Sequence, residues 1–166
     1  MAIIYVKSGS TGNGSAWNNA YGSLQSAITA APADDEIWVA AGTYKPTTGT
    51  DRTASFTLKN NVAIYGGFAG TETARNQRNI ASNATILSGE IGAAGIADNS
   101  YHVLTATGTA GNSLANAVLD GFTITGGNAN GTTGDLGKGG GLLTTNASPT
   151  LKNLTFRNNN AVSGRR

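Results

Sequence analysis

The chain has 166 residues, of which 24 are glycine, 3 are proline and none is cysteine, and its formal net charge is +2 with only 12% charged residues. This length suits one domain with its own core, and a weakly charged, glycine-rich chain with 39% hydrophobic residues is typical of a turn-rich β protein. The composition excludes disulfides and thiol chemistry, and no Lys/Arg cluster apart from Arg165-Arg166 and no apolar run of membrane-spanning length occurs.

The amino-terminal segment predicts a strand at Ile3–Val6, a Gly/Ser/Asn loop and then one short helix. Ser23 is the expected N-cap of this helix, and Pro32 ends it. We expect the helix to cover the amino-terminal end of the fold, with Trp17 and Tyr21 packed beside it; the alternative is a helix lying on the side of a sheet. Its apolar face has the i, i+3, i+4, i+7 spacing and consists of Leu24, Ala27, Ile28 and Ala31.

Beyond the helix, short strand-like segments alternate with loops of small residues. Residues 71–82 form the most polar stretch and predict a loop or short helical excursion outside the strands. Residues 126–141 predict a glycine-rich connection. The strand-like segments cover residues 37–44, 56–69, 83–91 and 101–107.

The carboxyl-terminal part of the chain contains a sequence repeat. Residues 117–129 (AVLDGFTITGGNA) recur as residues 149–161 (PTLKNLTFRNNNA), so that Leu119 is matched by Leu151 at an offset of 32 residues. A looser copy about two repeats earlier aligns Leu58 with Leu119. Self-similarity at this period indicates a stacked repeat, in which each unit buries its apolar face against its neighbours.

Apolar and polar residues alternate within each copy. The pattern places Leu119 and Ile124 inward and Asp120 outward, with a bend at Gly121, and Gly and Asn are the residues that accept positive φ at such bends. Short strands joined by corners, three to a turn, predict a parallel β-helix. An antiparallel sandwich is the alternative, but it would not require the same corner residues to recur.

Two sets of motifs resemble known β-helix families. The helix, the acidic turn at residues 33–36 and the segments IWVAAGTYKP and SFTLKNNVAIYGGFAGTE look like the amino-terminal region of bacterial surface and secreted proteins of the pectin-lyase-like architecture. The sequences GGGL at residues 139–142 and FRNN at residues 156–159 resemble polymorphic outer-membrane protein repeats. The resemblance implies an all-β fold, a right-handed parallel β-helix (solenoid) with a short N-terminal capping α-helix.

The expected organisation is a single β-helix domain over residues 1–166. Residues 1–35 form the amino-terminal strand and capping helix, and residues 36–166 form the coils. Relatives of this kind usually continue for many more coils, which predicts that the chain is truncated at its C-terminus. Since nothing after Phe156 resembles a cap, the apolar residues of the last coil are expected to be exposed and to mediate self-association. These residues are Leu142, Leu151, Leu154 and Phe156.

We predict no catalytic, cofactor or metal site. Polysaccharide lyases and hydrolases on such a scaffold need clustered carboxylates from adjacent coils. The repeat instead aligns Asp120 with Lys152 and Lys59, which is a mixed-sign ladder expected on the surface. His102 is the single histidine, and its strand-like surroundings predict a surface or hydrogen-bonded side chain rather than a ligand.

These features predict a non-catalytic structural or adhesive module of a cell-surface or secreted bacterial protein. Its expected location is extracellular or at the cell surface, although the chain carries no export signal, and its expected partners are further copies, glycans or cell-surface ligands. We expect neither nucleic-acid binding nor membrane insertion. One alternative is a polysaccharide-binding or lyase-type fragment. Another is ice or crystal binding through threonine pairs such as Thr123 and Thr125, which Arg157 interrupts in the last copy.

Overall fold

The fold is built almost entirely from short β-strands. A computed structural model describes residues 1–163, and within them it contains one α-helix, α1 (Leu24–Ala30), with single 3-10 turns at Trp17–Asn19 and Arg75–Gln77. The terminal pair Arg165-Arg166 lies outside the described residues. The strands are β1 (Ile3–Val6), β2 (Glu36–Ala40), β3 (Gly42–Tyr44), β4 (Phe56–Thr57), β5 (Ala63–Phe68), β6 (Thr85–Ser88), β7 (Leu104–Thr107), β8 (Val118–Asp120), β9 (Thr123–Thr125), β10 (Asn128–Ala129), β11 (Leu142–Thr145), β12 (Thr150–Lys152), β13 (Thr155–Arg157) and β14 (Asn160–Ala161).

The strands form three main sheets and one strand pair, and every pairing between named strands is parallel. Sheet A has the order β1-β2-β5-β8-β12, sheet B the order β3-β6-β9-β13 and sheet C the order β4-β7-β11, while β10 pairs with β14. From β2 onward the chain visits sheets A, B and C in turn, so each passage adds one strand to sheet A, then one to sheet B and one to sheet C, and β1 adds a further strand at the edge of sheet A. This is a mostly β, parallel fold of the β-helix type.

The pairing register confirms the 32-residue repeat. Leu119 pairs with Leu151 and Ile124 with Phe156. The alignment of the earlier copy is wrong, because Ile64, not Leu58, pairs with Leu119. Leu58 directly follows β4, and a corner separates it from sheet A. The alternation of apolar and polar residues does not reveal this corner, so the sequence alignment matched residues of two different sheets.

The corners depend on residues that tolerate positive φ. Gly121 has a φ of 91° and its repeat partner Asn153 a φ of 49°, while Gly126 has 76° and its partner Asn158 has 53°. Gly and Asn are the residues best able to adopt this left-handed conformation. Another corner divides the strand predicted at residues 37–44 into β2 and β3.

Helix α1 lies at the amino-terminal end of the coils. Ser23 caps it, since its Oγ accepts a hydrogen bond from the Ser26 N–H at 3.2 Å. The helix packs against β1 and β4, which are the first strands of sheets A and C, and against β2. The four apolar residues predicted for its inner face are all buried in the main core, namely Leu24, Ala27, Ile28 and Ala31.

Trp17 is not beside the helix as predicted. It belongs to an aromatic cluster on the outer face of sheet A, where its ring centroid lies 4.7 Å from that of Tyr5 and 5.7 Å from that of Phe68. Its Nε1 donates to the Glu72 carbonyl at 2.9 Å. Indole needs a partner for its N–H when it is partly buried, and the loop after β5 supplies one. Tyr21, in contrast, packs against the main core.

Candidate functional site

The carboxyl-terminal coil presents an open sheet edge. Among residues 1–163, strands β12, β13 and β14 each pair with a strand on one side only, namely β8, β9 and β10. All residues of these three last strands are exposed. The backbone N–H and C=O groups along the other side are therefore available to another strand.

The four residues predicted for self-association lie on the last strands or corners of this end. Leu151 is 40% exposed and Phe156 is 46% exposed, because each belongs to an inward-facing row that no further coil covers. Leu142 and Leu154 are half-buried against the main core. Val162, which the sequence reasoning did not single out, is 61% exposed next to this coil. Together they form the apolar part of an end surface, here called the open end.

The charge of the open end has one sign. Its strands carry Lys152 and Arg157, both exposed, and the sequence from residue 150 onward contains no Asp or Glu. Like charges of this kind weaken the approach of two identical surfaces, and salt screens that repulsion over about 10 Å at 0.1 M.

The amino-terminal end of the same stack is closed. The outer edge of β1 is bonded to residues 14–21: the Tyr5 N–H donates to the Gly14 carbonyl, the Tyr21 N–H donates to the Tyr5 carbonyl, and the Lys7 N–H donates to the Tyr21 carbonyl, each at 2.9 Å. Helix α1 packs against β1 itself. Within residues 1–163 the two edges of sheet A therefore differ, since the outer edge of β1 is hydrogen-bonded and β12 has no strand on its outer side.

Asp120 is not part of an exposed ladder, which corrects the prediction. It is buried, its carboxylate pairs with Arg78, and its Oδ1 accepts a hydrogen bond from Asn153 Nδ2 at 2.8 Å. Its side chain points away from the main core but is covered by the polar excursion after β5. The register places Tyr65 and Lys152 on either side of Asp120, so Lys59 is not in this row.

A groove of about 400 Å³ lies on the outer face of sheet A. Its floor contains the small residue Ala63, which pairs with the larger residues Glu36 and Val118 on the neighbouring strands. The lining residues are Met1, Asp34, Asp35, Glu36, Asn61, Ala63, Tyr65, Arg75 and Asn116.

One wall of the groove is an arginine stacked on a tyrosine. Arg75 Nη1 lies 2.6 Å from Glu36 Oε1, and its guanidinium carbon sits 4.5 Å from the centroid of the Tyr65 ring. Partial burial raises the pKa of the Tyr65 hydroxyl, and the charge of Arg75 opposes that shift. Tyr65 therefore offers a neutral phenol to the groove at physiological pH.

Two of the three carboxylates that line the groove, those of Asp35 and Glu36, are already engaged. Asp35 Oδ1 accepts the Ala2 N–H at 2.6 Å, and Glu36 Oε2 accepts the Trp38 indole N–H at 2.8 Å. The groove can therefore exchange hydrogen bonds with a polar ligand, but it does not pair two free carboxylates as a glycosidase would. Sequence reasoning missed the groove because Glu36 and Tyr65 become neighbours only through the register of β2 and β5.

His102 is buried, and its Nδ1 lies 3.1 Å from the Gly139 carbonyl, which agrees with the prediction of a hydrogen-bonded histidine. Within residues 1–163, no group of three or more His, Asp or Glu side chains is placed to hold a metal ion. The same residues include no helix that is long and apolar enough to cross a membrane.

The outward-facing rows of sheet B that contain threonine also contain other residues. The register on the outer face of sheet B aligns Thr43, Ile86, Thr123 and Thr155 in one row. The neighbouring row aligns Ser88 and Thr125 with Arg157. Ice or crystal binding through these rows stays a prediction.

One family model matches the chain over residues 7–164, and its description is "Protein of unknown function (DUF1565)". The match includes α1 and every strand from β2 to β14. No curated protein and no solved structure matches the chain.

Proposed function

Since the chain belongs to the DUF1565 family, which is right-handed β-helix-like, we propose that it is a right-handed parallel β-helix (solenoid) of the pectin-lyase-like type that acts as a structural or adhesive module. In this proposal the module is non-catalytic, belongs to a secreted or cell-surface bacterial protein, and associates with further copies of itself. The three parallel sheets of short strands favour a structural role, because each coil is hydrogen-bonded to its neighbours and the stack is therefore expected to be a rigid rod.

The observation that carries the proposal is the difference between the two ends. The edge of β1 is closed by hydrogen bonds to residues 14–21, whereas within residues 1–163 no strand lies on the outer side of β12, β13 or β14, beside exposed Leu151 and Phe156. A free parallel edge beside apolar side chains is a template for another chain. Self-association through the open end would cover this strand edge and the apolar side chains beside it.

Light scattering over a range of protein and salt concentrations tests the proposal. We expect the particle mass to rise with protein concentration, and to rise further with salt because salt screens Lys152 and Arg157. Phe156→Lys should abolish the increase. Thr155→Lys is the matched control, since it adds the same charge to the same strand but on the outward face. A particle that stays monomeric under all conditions would overturn the self-association.

The groove on sheet A supports a second candidate function, the binding of a glycan. The amides of Asn61 and Asn116, the phenol of Tyr65 and the guanidinium of Arg75 are groups that hydrogen-bond to hydroxyls. A soluble polysaccharide should quench or shift the intrinsic fluorescence of the protein, and Arg75→Ala should weaken that effect. Lys138→Ala, whose side chain is half exposed and does not line the groove, is the control.

A lyase activity would appear as unsaturated product when acidic polysaccharides and Ca²⁺ are added. The non-catalytic proposal predicts no such absorbance, and its appearance would overturn that part of the proposal.

A further inference from the structure

We infer that the groove on sheet A selects a glycan that carries free amino groups, such as an oligomer of glucosamine, and discriminates against glycans that carry carboxylates. The inference rests on the second candidate function, glycan binding in this groove, and names the chemical class of its ligand. It follows from the charge of the groove, from the way its guanidinium is held, and from the carboxylate oxygens that its own hydrogen bonds leave free.

The groove has a charge opposite to that of the whole chain. Its lining contains three carboxylates, those of Asp34, Asp35 and Glu36. Against them stands one guanidinium, that of Arg75, so three negative charges and one positive leave −2, whereas the chain carries +2. The terminal ammonium of Met1 lies 3.8 Å from Asp35 Oδ1, and counting it still leaves the groove negative. A concave surface of one sign attracts ligands of the other sign and repels those of its own.

The guanidinium of Arg75 is already paired and is a poor receptor for a ligand carboxylate. Its Nη1 lies 2.6 Å from Glu36 Oε1, and its guanidinium carbon lies 4.5 Å from the centroid of the Tyr65 ring. The other oxygen of Glu36 is held as well, since Oε2 accepts the Trp38 indole N–H at 2.8 Å. A uronate that approached Arg75 would therefore meet the fixed charge of Glu36 beside it, whereas the remaining N–H groups of Arg75 can donate to a neutral hydroxyl.

Asp34 supplies a carboxylate that the chain itself does not use. Within residues 1–163 its side chain makes no hydrogen bond and no ion pair, and the residue is exposed. Its backbone is fixed, because its φ is 69° and its N–H donates to the Asn61 carbonyl at 2.6 Å. A fixed, unpaired carboxylate in the lining of a groove is a partner for a ligand ammonium, and such charge-assisted hydrogen bonds are stronger than neutral ones.

Asp35 adds a second free oxygen to the lining. The residue is 8% exposed, and its Oδ1 accepts the Ala2 N–H at 2.6 Å, while its Oδ2 has no hydrogen-bond partner among residues 1–163. Since this carboxylate is largely shielded from water, it attracts an ammonium more strongly than an exposed carboxylate does. No group of three or more His, Asp or Glu side chains in the described part of the chain is placed to hold a metal ion, so an organic ammonium is the cation that fits these oxygens.

The neutral groups of the groove favour a saccharide over a basic peptide as the source of the amine. The amides of Asn61 and Asn116 and the phenol of Tyr65 line the groove, and their side chains make no hydrogen bonds within residues 1–163. Each of them can donate and accept, as sugar hydroxyls do, so one saccharide can satisfy several of them at once. The groove volume of about 400 Å³ lies in the range of about 300 to 1,000 Å³ that is usual for ligand sites. Since these groups treat all sugars alike, discrimination between sugars falls to the carboxylates.

Isothermal titration calorimetry with three oligosaccharides of equal length tests the charge selection. The probes are an oligomer of glucosamine, its fully N-acetylated counterpart and an oligogalacturonate, each at a pH at which the amines are protonated. We expect the amine-bearing oligomer to bind at least about tenfold more tightly than the acetylated one, a difference of about 1.4 kcal/mol, and the oligogalacturonate to show no binding.

Asp34→Asn removes the free charge and keeps the size of the side chain. Asn tolerates positive φ as Asp does, so the turn before β2 is retained. The variant should bind the amine-bearing and acetylated oligomers with affinities within about threefold of each other. Glu90→Gln is the matched control, because it removes one negative charge from an exposed residue that does not line the groove, and it should keep the full preference.

Three results would overturn the charge selection and leave glycan binding standing: equal affinities for the three oligosaccharides, tighter binding of the oligogalacturonate, or an unchanged preference in Asp34→Asn. Binding of oligolysine without binding of any saccharide would assign the groove to a basic peptide and contradict both the inference and the glycan function. If the parent protein bound none of these probes, glycan binding in the groove would itself be overturned.

Discussion

Arg78 and Asp120 form an ion pair that joins the polar excursion after β5 to strand β8. Arg78 Nη2 lies 2.7 Å from Asp120 Oδ2, and Nη1 of the same guanidinium donates to the carbonyls of Gly66 and Asp120 at 3.1 and 3.2 Å. Both side chains are largely buried, at 15% and 8% exposure. The pair therefore holds a loop against the stack and is not an exposed surface ion pair.

Asp120→Ala should destabilise the protein by about 2 to 4 kcal/mol, because it leaves the Arg78 charge largely buried without its partner. Lys152→Ala, one coil later in the same row but exposed, should stay within about 0.5 kcal/mol. Chemical denaturation of both variants measures the difference. Similar losses would show that the ion pair contributes nothing beyond an ordinary surface residue.

Phe122→Ala should cost about 3 to 5 kcal/mol, since the ring is 2% exposed and packs in the main core. Thr123→Ala, the next residue, faces outward on β9 and should change the free energy of unfolding by no more than about 0.5 kcal/mol. Urea denaturation of the two variants distinguishes them, and equal losses would contradict the inward and outward assignment.

Leu24→Asp or Ile28→Asp should unfold the amino-terminal end or make the protein insoluble, because each would bury an unpaired charge against the first strands. Ser26→Asp introduces the same carboxylate on the exposed side of the same helix and should be tolerated. Melting temperature and soluble yield are the readouts. Wild-type behaviour of Leu24→Asp would mean that the helix does not seal this end.

The stability of the protein should fall between pH 10 and pH 12 because of Tyr44. Burial raises the pKa of its hydroxyl from 10.0 to about 12, while a hydrogen bond from the Ser8 N–H opposes the shift. The unfolded chain loses this proton first as the pH rises, so the stabilisation is complete below pH 10 and is lost, by about 2 to 3 kcal/mol, on approaching pH 12.

Tyr44→Phe is the control for this titration. It removes the hydrogen bond that Tyr44 Oη donates to the Ala40 carbonyl at 2.9 Å, so it should be less stable at neutral pH by about 1 kcal/mol. It should also lose less stability than the parent between pH 10 and pH 12 in denaturation experiments. If the free energy of unfolding of the two proteins depended on pH in the same way, the raised pKa of the Tyr44 hydroxyl would be contradicted.

The repeat, the corners and the helix could be predicted because each depends on residues close in sequence. Leu119 and Leu151 occupy the same place in two copies, and Gly121 and Asn153 are interchangeable only where φ is positive. The 32-residue offset therefore gave the pairing register of the last two coils directly. The helix could be predicted from equally short-range features, since the N-cap Ser23 marks its start and the apolar spacing after Ser23 marks its buried face.

The surroundings of Asp120 could not be predicted in the same way. Alternation correctly places its side chain away from the main core, but burial there depends on a polar loop more than 40 residues earlier, which brings Arg78 over it. The alignment of the early copy failed for a related reason, because a corner between Leu58 and Ile64 separates sheet C from sheet A, and it is Ile64 that pairs with Leu119. The groove on sheet A likewise needs the pairing of β2 with β5 before Glu36 and Tyr65 become neighbours.

Three strand pairs of the last coils, β8–β12, β9–β13 and β10–β14, share one offset of 32 residues. Thr123 pairs with Thr155 and Asn128 with Asn160 at this same offset, so a tandem duplication of one such unit would add a coil without shifting any existing pair. Each added unit would lengthen the rod by one strand spacing, about 4.8 Å. Insertions of other lengths can be absorbed only in the connections that leave the coils, such as residues 130–141, so the rod can lengthen in whole steps while its loops diverge freely.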